Sequence, residues 1–396
     1  MISYEEALGE VLDNPLELGV EKVSLLESHG RVLAEDILAD RDFPPFNRST
    51  KDGIALDFSS YEQGRRDFKI TGVLAAGMPQ QTLNDKEECL EIMTGAVLPA
   101  KADTIVMYEE TEIENGIAKI LSQPKKGQNI HQKAADIQAG EILLKKGKTI
   151  STSAIGVMAS VGKSYVLVKR LPKIAVISTG NELVEISETP LAHQIRKSNV
   201  ISLSAALKSK DIEHQLLHLP DDKLAITKEI KQILAEFDVL MLSGGVSKGK
   251  FDYLPEVFEE LGIEKVFHKV SQRPGKPFLF GRNSEKTKVV FSFPGNPVST
   301  YANYHVYFLP WLNRSLGIPL PSEKVVVTEE VVPHEFLTLF LQVKISWNEN
   351  QLQATLVKGN GSGDLVSLAL ADGFIKVPKG TTTFEPGSQF EYIPAK

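Results

Sequence analysis

Hydrophobic and polar positions change rhythm along the chain. Near the start, Ala7, Leu8, Val11 and Leu12 recur at helical spacing, and Ser3 with Glu6 makes a capping-box pattern. A break follows at Asp42-Phe43-Pro44-Pro45-Phe46, since two consecutive prolines fit neither a helix interior nor a central strand. From there to about Gly140, apolar runs separated by Gly, Pro and Asn predict short strands at 68–70, 89–93, 104–108 and 118–121, a small β-rich module. A second apolar helix is predicted over 152–160, and Leu171-Pro172 marks a boundary.

From Lys173 strands alternate with helices. Strands are predicted at 174–178, 216–219, 239–242 and 289–293, with a further one near Val266. One helix spans about 223–237, with Ile226, Ile230, Ile233, Leu234 and Phe237 on one face and Asp221 or Asp222 as its cap. Another spans 252–261, with Leu254, Val257, Phe258 and Leu261 inward and Gly262 as its stop. Apolar strands joined by amphipathic crossovers predict an α/β domain with a mainly parallel sheet. Beyond Pro321 helical periodicity is lost, and strands at 324–329, 338–345, 354–356 and 373–377 predict a terminal all-β module. There is no fixed-period repeat and no low-complexity segment.

A length of 396 residues implies two to four domains rather than one core. No run approaches the roughly 18 apolar residues of a membrane span. The first residues lack the basic-then-apolar order of a secretory signal. Cys89 is the single cysteine, so no intrachain disulfide forms, and a reducing, cytoplasmic setting is expected. A net charge of −7 argues against a broad nucleic-acid surface but leaves room for a local basic pocket. The eight histidines are scattered, none at metal-ligand spacing, which speaks against a structural zinc site.

Ligands of open α/β sheets bind beyond the C-terminal ends of the strands. Four loops qualify: 178–182, ending in Glu182; 219–222, with Asp221 and Asp222; 243–252; and 294–299. In the third, Ser243, Gly244, Gly245 and Ser247 make a turn whose amides can cradle a phosphate, although Gly-Gly after a strand is commonly a plain turn. Asp252 is either a carboxylate for a divalent cation or a helix N-cap. Pro294 and Pro297 freeze the backbone of the fourth loop, and Asn296-Pro297 also reads as a simple helix start. Lys269, Arg273 and Lys276, stiffened by Pro274, Gly275 and Pro277, suit a compact dianion; the alternative is solvated surface. In the β-rich module, Asp52-Gly53, Met93-Thr94-Gly95-Ala96 and Asp136 lie in polar turns beside strands, and each alone is first of all a turn.

Taken together, these loops resemble the MoeA family, the molybdopterin molybdenumtransferases, which includes the E domains of gephyrin and its plant counterpart. The matching elements are Asp52-Gly53, Met93-Thr94-Gly95-Ala96, Gly127-Gln128-Asn129-Ile130 with Asp136, and Ser178-Thr179-Gly180-Asn181-Glu182-Leu183. They continue with Ser243-Gly244-Gly245-Val246-Ser247, Asp252-Tyr253, Pro274-Gly275-Lys276-Pro277, Pro294-Gly295-Asn296-Pro297-Val298, Gly361-Ser362-Gly363 and Ser367-Leu368-Ala369. The resemblance spans the whole chain in the family's order.

It implies four domains: an N-terminal linking domain (1–42 plus 142–171), a β-rich module (43–141), a MogA-like α/β domain (172–320) and a small C-terminal β-barrel (321–396). It also implies a homodimer, with the active site between the α/β domain of one subunit and the β-rich module of the other. The implied reaction inserts molybdate into adenylylated molybdopterin, with Mg²⁺, and releases AMP. The pterin phosphate would lie along 243–247, with Glu182, Asp221 and Asp252 near the metal. Lys269, Arg273, Lys276 and Ser362 would serve the anionic ligands, and Asp52, Thr94 and Asp136 the facing module. The dithiolene sulfurs belong to the substrate, so no protein cysteine is needed. The adenylyltransferase that precedes this step and the recipient molybdoenzymes are implied as partners.

Several residues depart from the family pattern. Lys51 and Ile54 stand where Met and Tyr are common, Asn181 for Asp, Ala135 for Glu and Arg273 for Lys. Lys197 and Lys248 add charge where Asp and an apolar residue are expected. Most of these changes make the site more positive. Two alternatives remain: a molybdopterin adenylyltransferase, which would need only the α/β domain, and a non-catalytic gephyrin-like scaffold, which would not need the acids and cations.

Overall fold

A computed structural model describes residues 1–246, 253–320, 322–348 and 350–395. They fall into two units, Val23–His29 with Leu33–Val166, and Met1–Lys22 with Gly30–Val32 and Leu167–Lys396.

The first unit is built on a six-stranded sheet of β1 (Gly53–Leu56), β2 (Asp67–Leu74), β3 (Glu88–Ile92), β4 (Thr104–Met107), β5 (Thr111–Glu114) and β6 (Ile117–Ile120), in the order β4-β1-β3-β2-β6-β5. The four strands expected from sequence are present. β1 and β5 went unread: β1 is buried along its whole length, and β5 is nearly all exposed, so neither alternates. Successive side chains of a strand point to opposite faces. Ala55, Leu90 and Ile105 therefore fill one core, while Ile54, Leu56, Cys89 and Val106 fill the other. Burial, reinforced by Glu91 and Glu88, pushes the Cys89 thiol up to about 12. The predicted helix forms over Thr152–Ser160, where the Ser151 hydroxyl accepts from Ala154 N at 3.2 Å.

The second unit holds another six-stranded sheet: β7 (Ile174–Thr179), β8 (His214–Leu219), β9 (Val239–Ser243), β10 (Ile263–His268), β11 (Leu279–Asn283) and β12 (Val289–Phe293). The order is β8-β7-β9-β12-β11-β10; the first four are parallel to one another, and only β11 runs antiparallel to its neighbours, β12 on one side and β10 on the other. One face carries Ile226, Ile230 and Ile233 of the helix Lys223–Glu236. Asp222, not Asp221, caps that helix, accepting from Ala225 N at 2.8 Å. The helix expected over 252–261 runs Leu254–Glu260, and Asp252 lies outside the described residues.

The other face is aromatic. Phe278, Phe291, Tyr307, Phe308 and Trp311 are all fully buried there. Three of them come from a continuous helical run, Pro297–Asn303, a π-turn at Tyr304–Phe308, and Leu309–Leu316, which ends at Gly317 in the left-handed region (φ 70°). The N-terminal helix Tyr4–Leu12 has both halves of its capping box, Ser3 N to Glu6 Oε2 at 2.8 Å and Glu6 N to Ser3 Oγ at 3.1 Å. Tyr4 stands edge-on to Phe340 with ring centroids 5.1 Å apart.

The chain ends in a closed barrel of β13 (Glu323–Val327), β14 (Thr338–Asn348), β15 (Gln351–Leu356), β16 (Gly373–Val377) and β17 (Gln389–Pro394), in the order β14-β15-β13-β17-β16 and back to β14. One expectation needs correction. Helical structure does not stop at Pro321, since Leu365–Leu370 is a helix capped by Asp364. Six residues are too few to display a helical period. Among the described residues no helix is long and apolar enough to cross a membrane.

Trp311 has no exposed surface and donates Nε1–H to the Asn14 carbonyl at 2.8 Å. Trp311→Ala is expected to lower unfolding stability by about 3–5 kcal/mol in urea titrations. A loss below about 1 kcal/mol would contradict this packing.

Candidate functional site

Two glycines shape the end of β9. Gly244 and Gly245 have φ of 104° and 73°. A Cβ would stand 2.9 Å from Thr179 Oγ1 at the first and 2.5 Å from Leu254 Cδ1 at the second. Only glycine fits this approach. The Gly244 N–H is already donated to the Phe293 carbonyl at 3.0 Å, so an anion here would use the neighbouring amides. Ser247, expected in the same turn, lies outside the described residues.

Asn199 braces the turn, a role with no local signal in the sequence. Its Nδ2 donates to Ser243 Oγ at 2.9 Å and to the Gly295 carbonyl at 2.7 Å. Thr300 Oγ1 closes the bracket by donating to the Pro294 carbonyl at 2.6 Å. The loops after β9 and β12 are thus one hydrogen-bonded piece.

The loops after β7 and β8 also interlock. Asn181 N donates to Asp221 Oδ2 at 3.1 Å, and Asp221 N donates to Asn181 Oδ1 at 3.3 Å. The Glu182 carboxylate folds back over Gly180, where a Cβ would meet Oε2 at 2.3 Å. The departure at Lys197 is absorbed locally: its ammonium pairs with Glu185 and holds that carboxyl below its usual value. Burial, with Lys197 adding to it, pushes the His218 imidazole below its ordinary value, and the ring bonds Ser178 Oγ at 3.0 Å. Among the described residues no three His, Cys, Asp or Glu side chains gather as a metal set, and Asp252 lies outside them.

The cationic turn rests on a buried carboxamide. Gln272, 1% exposed, donates Nε2–H to the Pro274 carbonyl at 2.9 Å and to Asn303 Oδ1 at 2.8 Å, and its oxygen accepts from the Tyr307 hydroxyl. Gly275 (φ 90°) fits because a Cβ would stand 2.4 Å from Asn303 Oδ1. On this base Arg273 and Lys276 are exposed. Both line a cavity of about 740 Å³ together with Pro294, Asn296, Ser362, Gln342 and Lys358. Asn296 Nδ2 donates to Ser362 Oγ at 2.8 Å, joining the barrel loop to the α/β loop.

Four expected residues therefore meet in one cavity: Arg273, Lys276, Pro294 and Ser362. Lys269 and Pro297 are not among its lining residues. Lys269 is half-buried with φ 78°, and Pro297 opens the helix Pro297–Asn303. Gln342 and Lys358, from the barrel, were not anticipated.

In the other unit, Asp52 and Thr94 are brought together. Asp52 Oδ1 accepts from Thr94 N at 2.6 Å and from Thr94 Oγ1 at 2.7 Å, and these bonds hold the carboxyl below its usual value. Gly53 is obligatory, because a Cβ would lie 1.9 Å from the Val106 carbonyl oxygen. Ile54 is fully buried, so its departure from the family pattern is a matter of core. Asp136 Oδ1 lies 3.0 Å from His131 Nε2, and Arg48 Nη2 lies 3.3 Å from His131 Nδ1. The Arg48–His131 link was not foreseen. The short strand Ile130–His131 pairs with Arg48–Ser49, and Gly95 N donates to the Ser49 carbonyl at 2.9 Å, so all three turns share one backbone frame.

Comparison with known proteins covers the whole chain. Residues 2–162 match the MoeA N-terminal region (domain I and II), 175–314 a probable molybdopterin binding domain, and 324–395 the MoeA C-terminal region (domain IV). The chain is 42% identical over 396 residues to the molybdopterin molybdenumtransferase of Synechocystis sp., covering 99% of each. It is 32% identical over 404 residues to that of Staphylococcus epidermidis, covering 99% of this chain and 95% of the relative. Two solved molybdopterin biosynthesis MoeA proteins from Pyrococcus horikoshii have TM-scores of 0.85 and 0.83. Their identities are 31% and 26%, and the first covers 100% of this chain and 99% of its own, the second 100% of both.

Thr94→Val removes the hydroxyl donor to Asp52. The carboxyl titration midpoint, followed by carbon NMR, is then expected to move up towards the ordinary carboxylate value. A midpoint that stays put would show that the hydroxyl contributes nothing to holding Asp52 ionised.

Proposed function

Because this chain belongs to the MoeA family, we propose that it is a molybdopterin molybdenumtransferase, placing molybdate on the dithiolene of adenylylated molybdopterin and releasing AMP. The observation that carries this reading is the cavity where Arg273, Lys276 and Ser362 meet. Molybdate is a tetrahedral dianion. A turn that holds two cations in place before the ligand arrives avoids the cost of ordering them on binding. Arg273 offers a forked pair of donors to oxyanion oxygens, and Lys276 a point charge.

The remaining residues divide the work. Ser243, Gly244, Gly245 and Ser247 would border the pterin phosphate. Asp52, kept ionised by Thr94, and Asp136 would accept hydrogen bonds from the substrate or its water. Glu182 and Asp221 offer oxygen donors from adjoining loops, with Asp221 fixed through Asn181. Such donors fit Mg²⁺, which takes oxygen ligands and keeps several waters. With Asp252 they would hold it, and bound there it would offset charge on the phosphoanhydride oxygens. A homodimer that shares its sites between subunits, a cytoplasmic setting, and exchange with the preceding adenylyltransferase and with recipient molybdoenzymes complete the proposal. Matches that run the whole length of the relatives favour it over an adenylyltransferase confined to the α/β domain. The cation-lined cavity favours it over a scaffold.

Purified protein given adenylylated molybdopterin is expected to release AMP in a molybdate-dependent manner. Arg273→Met with Lys276→Met should raise the half-saturating molybdate concentration at least about tenfold. AMP release indifferent to molybdate, or to the double substitution, would refute the assignment. Co-expressed Asp52→Ala and Arg273→Met chains are each expected to be impaired alone. If sites are shared across a dimer, the mixture should regain about a quarter of wild-type activity, since half of random dimers carry one intact site. Activity no higher than that of the parents would exclude sharing.

A further inference from the structure

We propose that the side-chain oxygen of Asn199 is a binding group for the substrate, accepting a hydrogen bond from a ribose hydroxyl of its adenylyl half. This rests on the reading of the sheet's mouth as the site of adenylylated molybdopterin, and adds to it the residue that holds the sugar.

The protons around Asn199 can be assigned one by one. The Gly295 carbonyl only accepts, so the carboxamide must turn its nitrogen towards it, at 2.7 Å. The second N–H goes to Ser243 Oγ at 2.9 Å. Thr300 gives its own proton to the Pro294 carbonyl at 2.6 Å. At its 3.3 Å contact with Ser243 it can therefore only accept, and the Ser243 hydroxyl is the donor. Ser243 and Thr300 are both buried, and their hydroxyls are spent inside this network. One capacity is left over. The Asn199 oxygen has two lone pairs and accepts from none of the described residues. Unlike the Tyr304 hydroxyl, which is buried without a partner, it is open to solvent.

The place of this oxygen is fixed. Asn199 is the second residue of the helix Ser198–Lys208, which is anchored in the core by Val200, Leu203 and Leu207. Its carboxamide spans the seam between the turn after β9 and the loop after β12. Those two segments touch, since a Cβ on Gly295 would stand 3.8 Å from Gly244 Cα. The neighbouring cation does not compete, because the Lys197 ammonium is turned to Glu185. An accepting oxygen beside a phosphate cradle repels the anion itself and suits a neutral O–H or N–H carried next to the phosphates. In adenylylated molybdopterin the nearest such groups are the two ribose hydroxyls. On the other side of the phosphates come a methylene and the ring that bears the sulfurs, and the pterin N–H groups lie farther off. An acceptor set in advance by its own donors is already ordered when the sugar arrives.

The test is calorimetric titration of the intact protein with AMP, 2′-deoxy-AMP and 3′-deoxy-AMP in the presence of Mg²⁺. One of the two deoxy nucleotides is expected to bind about fivefold more weakly than AMP, the loss of one neutral hydrogen bond. In Asn199→Ala that ratio should fall to about one, because no acceptor remains for the hydroxyl to lose. Loss of the brace alone would weaken all three nucleotides equally and leave the ratio as it was. Thr300→Val disturbs the brace without touching the Asn199 oxygen, and should keep the ratio. Asn199→Asp retains an accepting oxygen and should keep it too, whatever it costs in affinity for all three. Equal binding of the three nucleotides by the parent, or a ratio that survives in Asn199→Ala, overturns the assignment and leaves molybdate-dependent AMP release standing. If AMP neither binds the parent nor inhibits its turnover, the nucleotide does not occupy this site and both readings fall. Should Asn199→Ala not fold, Asn199→Ser takes its place, and the comparison of nucleotides on the parent remains decisive.

Discussion

The geometry of the candidate site depends on a single buried carboxamide. Gln272 spends its nitrogen on Pro274 and Asn303 and its oxygen on the Tyr307 hydroxyl, below a turn whose two exposed cations line the cavity. Charged turns normally move with their solvation. This one is bolted to the aromatic core through Tyr307, which packs on Phe278 at 4.7 Å between ring centroids. Core packing is thereby converted into fixed positions for charge. The bracket of Asn199 does the same for the loops after β9 and β12, and the exchange between Asn181 and Asp221 does it for the loops after β7 and β8. Dipoles and charges fixed in advance avoid the cost of reorganisation when a charged ligand binds.

Legibility in the sequence followed burial. β7, β9 and β12 are buried along their whole length, and their unbroken apolar runs were readable as inner parallel strands. The edge strand β8 is mostly half-buried or exposed, so only its end was read. The helix Lys223–Glu236 announced itself through Ile226, Ile230 and Ile233, but which aspartate capped it was settled only by the bond to Ala225. Pro297 to Leu316, a long helical run with a π-turn, showed as a start signal alone, because as far as Phe308 it is buried on most sides, polar Ser299, Thr300 and Asn303 included, so no apolar stripe stands out.

The site was legible as loops and illegible as an assembly. Strand ends marked where Asp221, Ser243 and Pro294 lie. Nothing local marks Asn199, which reaches Ser243 across 44 residues and Gly295 across 96. The same holds for Gln342 and Lys358, which reach the cavity only because the barrel closes beside the cationic turn. The lysines also proved unequal. Lys197 is neutralised by Glu185, while Lys358, which no comparison of motifs singled out, faces the cavity. A chain of net charge −7 can thus concentrate positive potential at one place.

The burial of Cys89 has a chemical consequence. Only a thiolate attacks disulfides or binds soft metals, and at a titration midpoint of about 12 almost none exists near neutrality. An enzyme that handles a dithiol and a thiophilic metal has reason to keep its own sulfur silent. Sealed in the core on one face of the sheet, with its Sγ 3.8 Å from the Phe68 carbonyl oxygen, this thiol can neither intercept the metal nor cross-link to the ligand it should release.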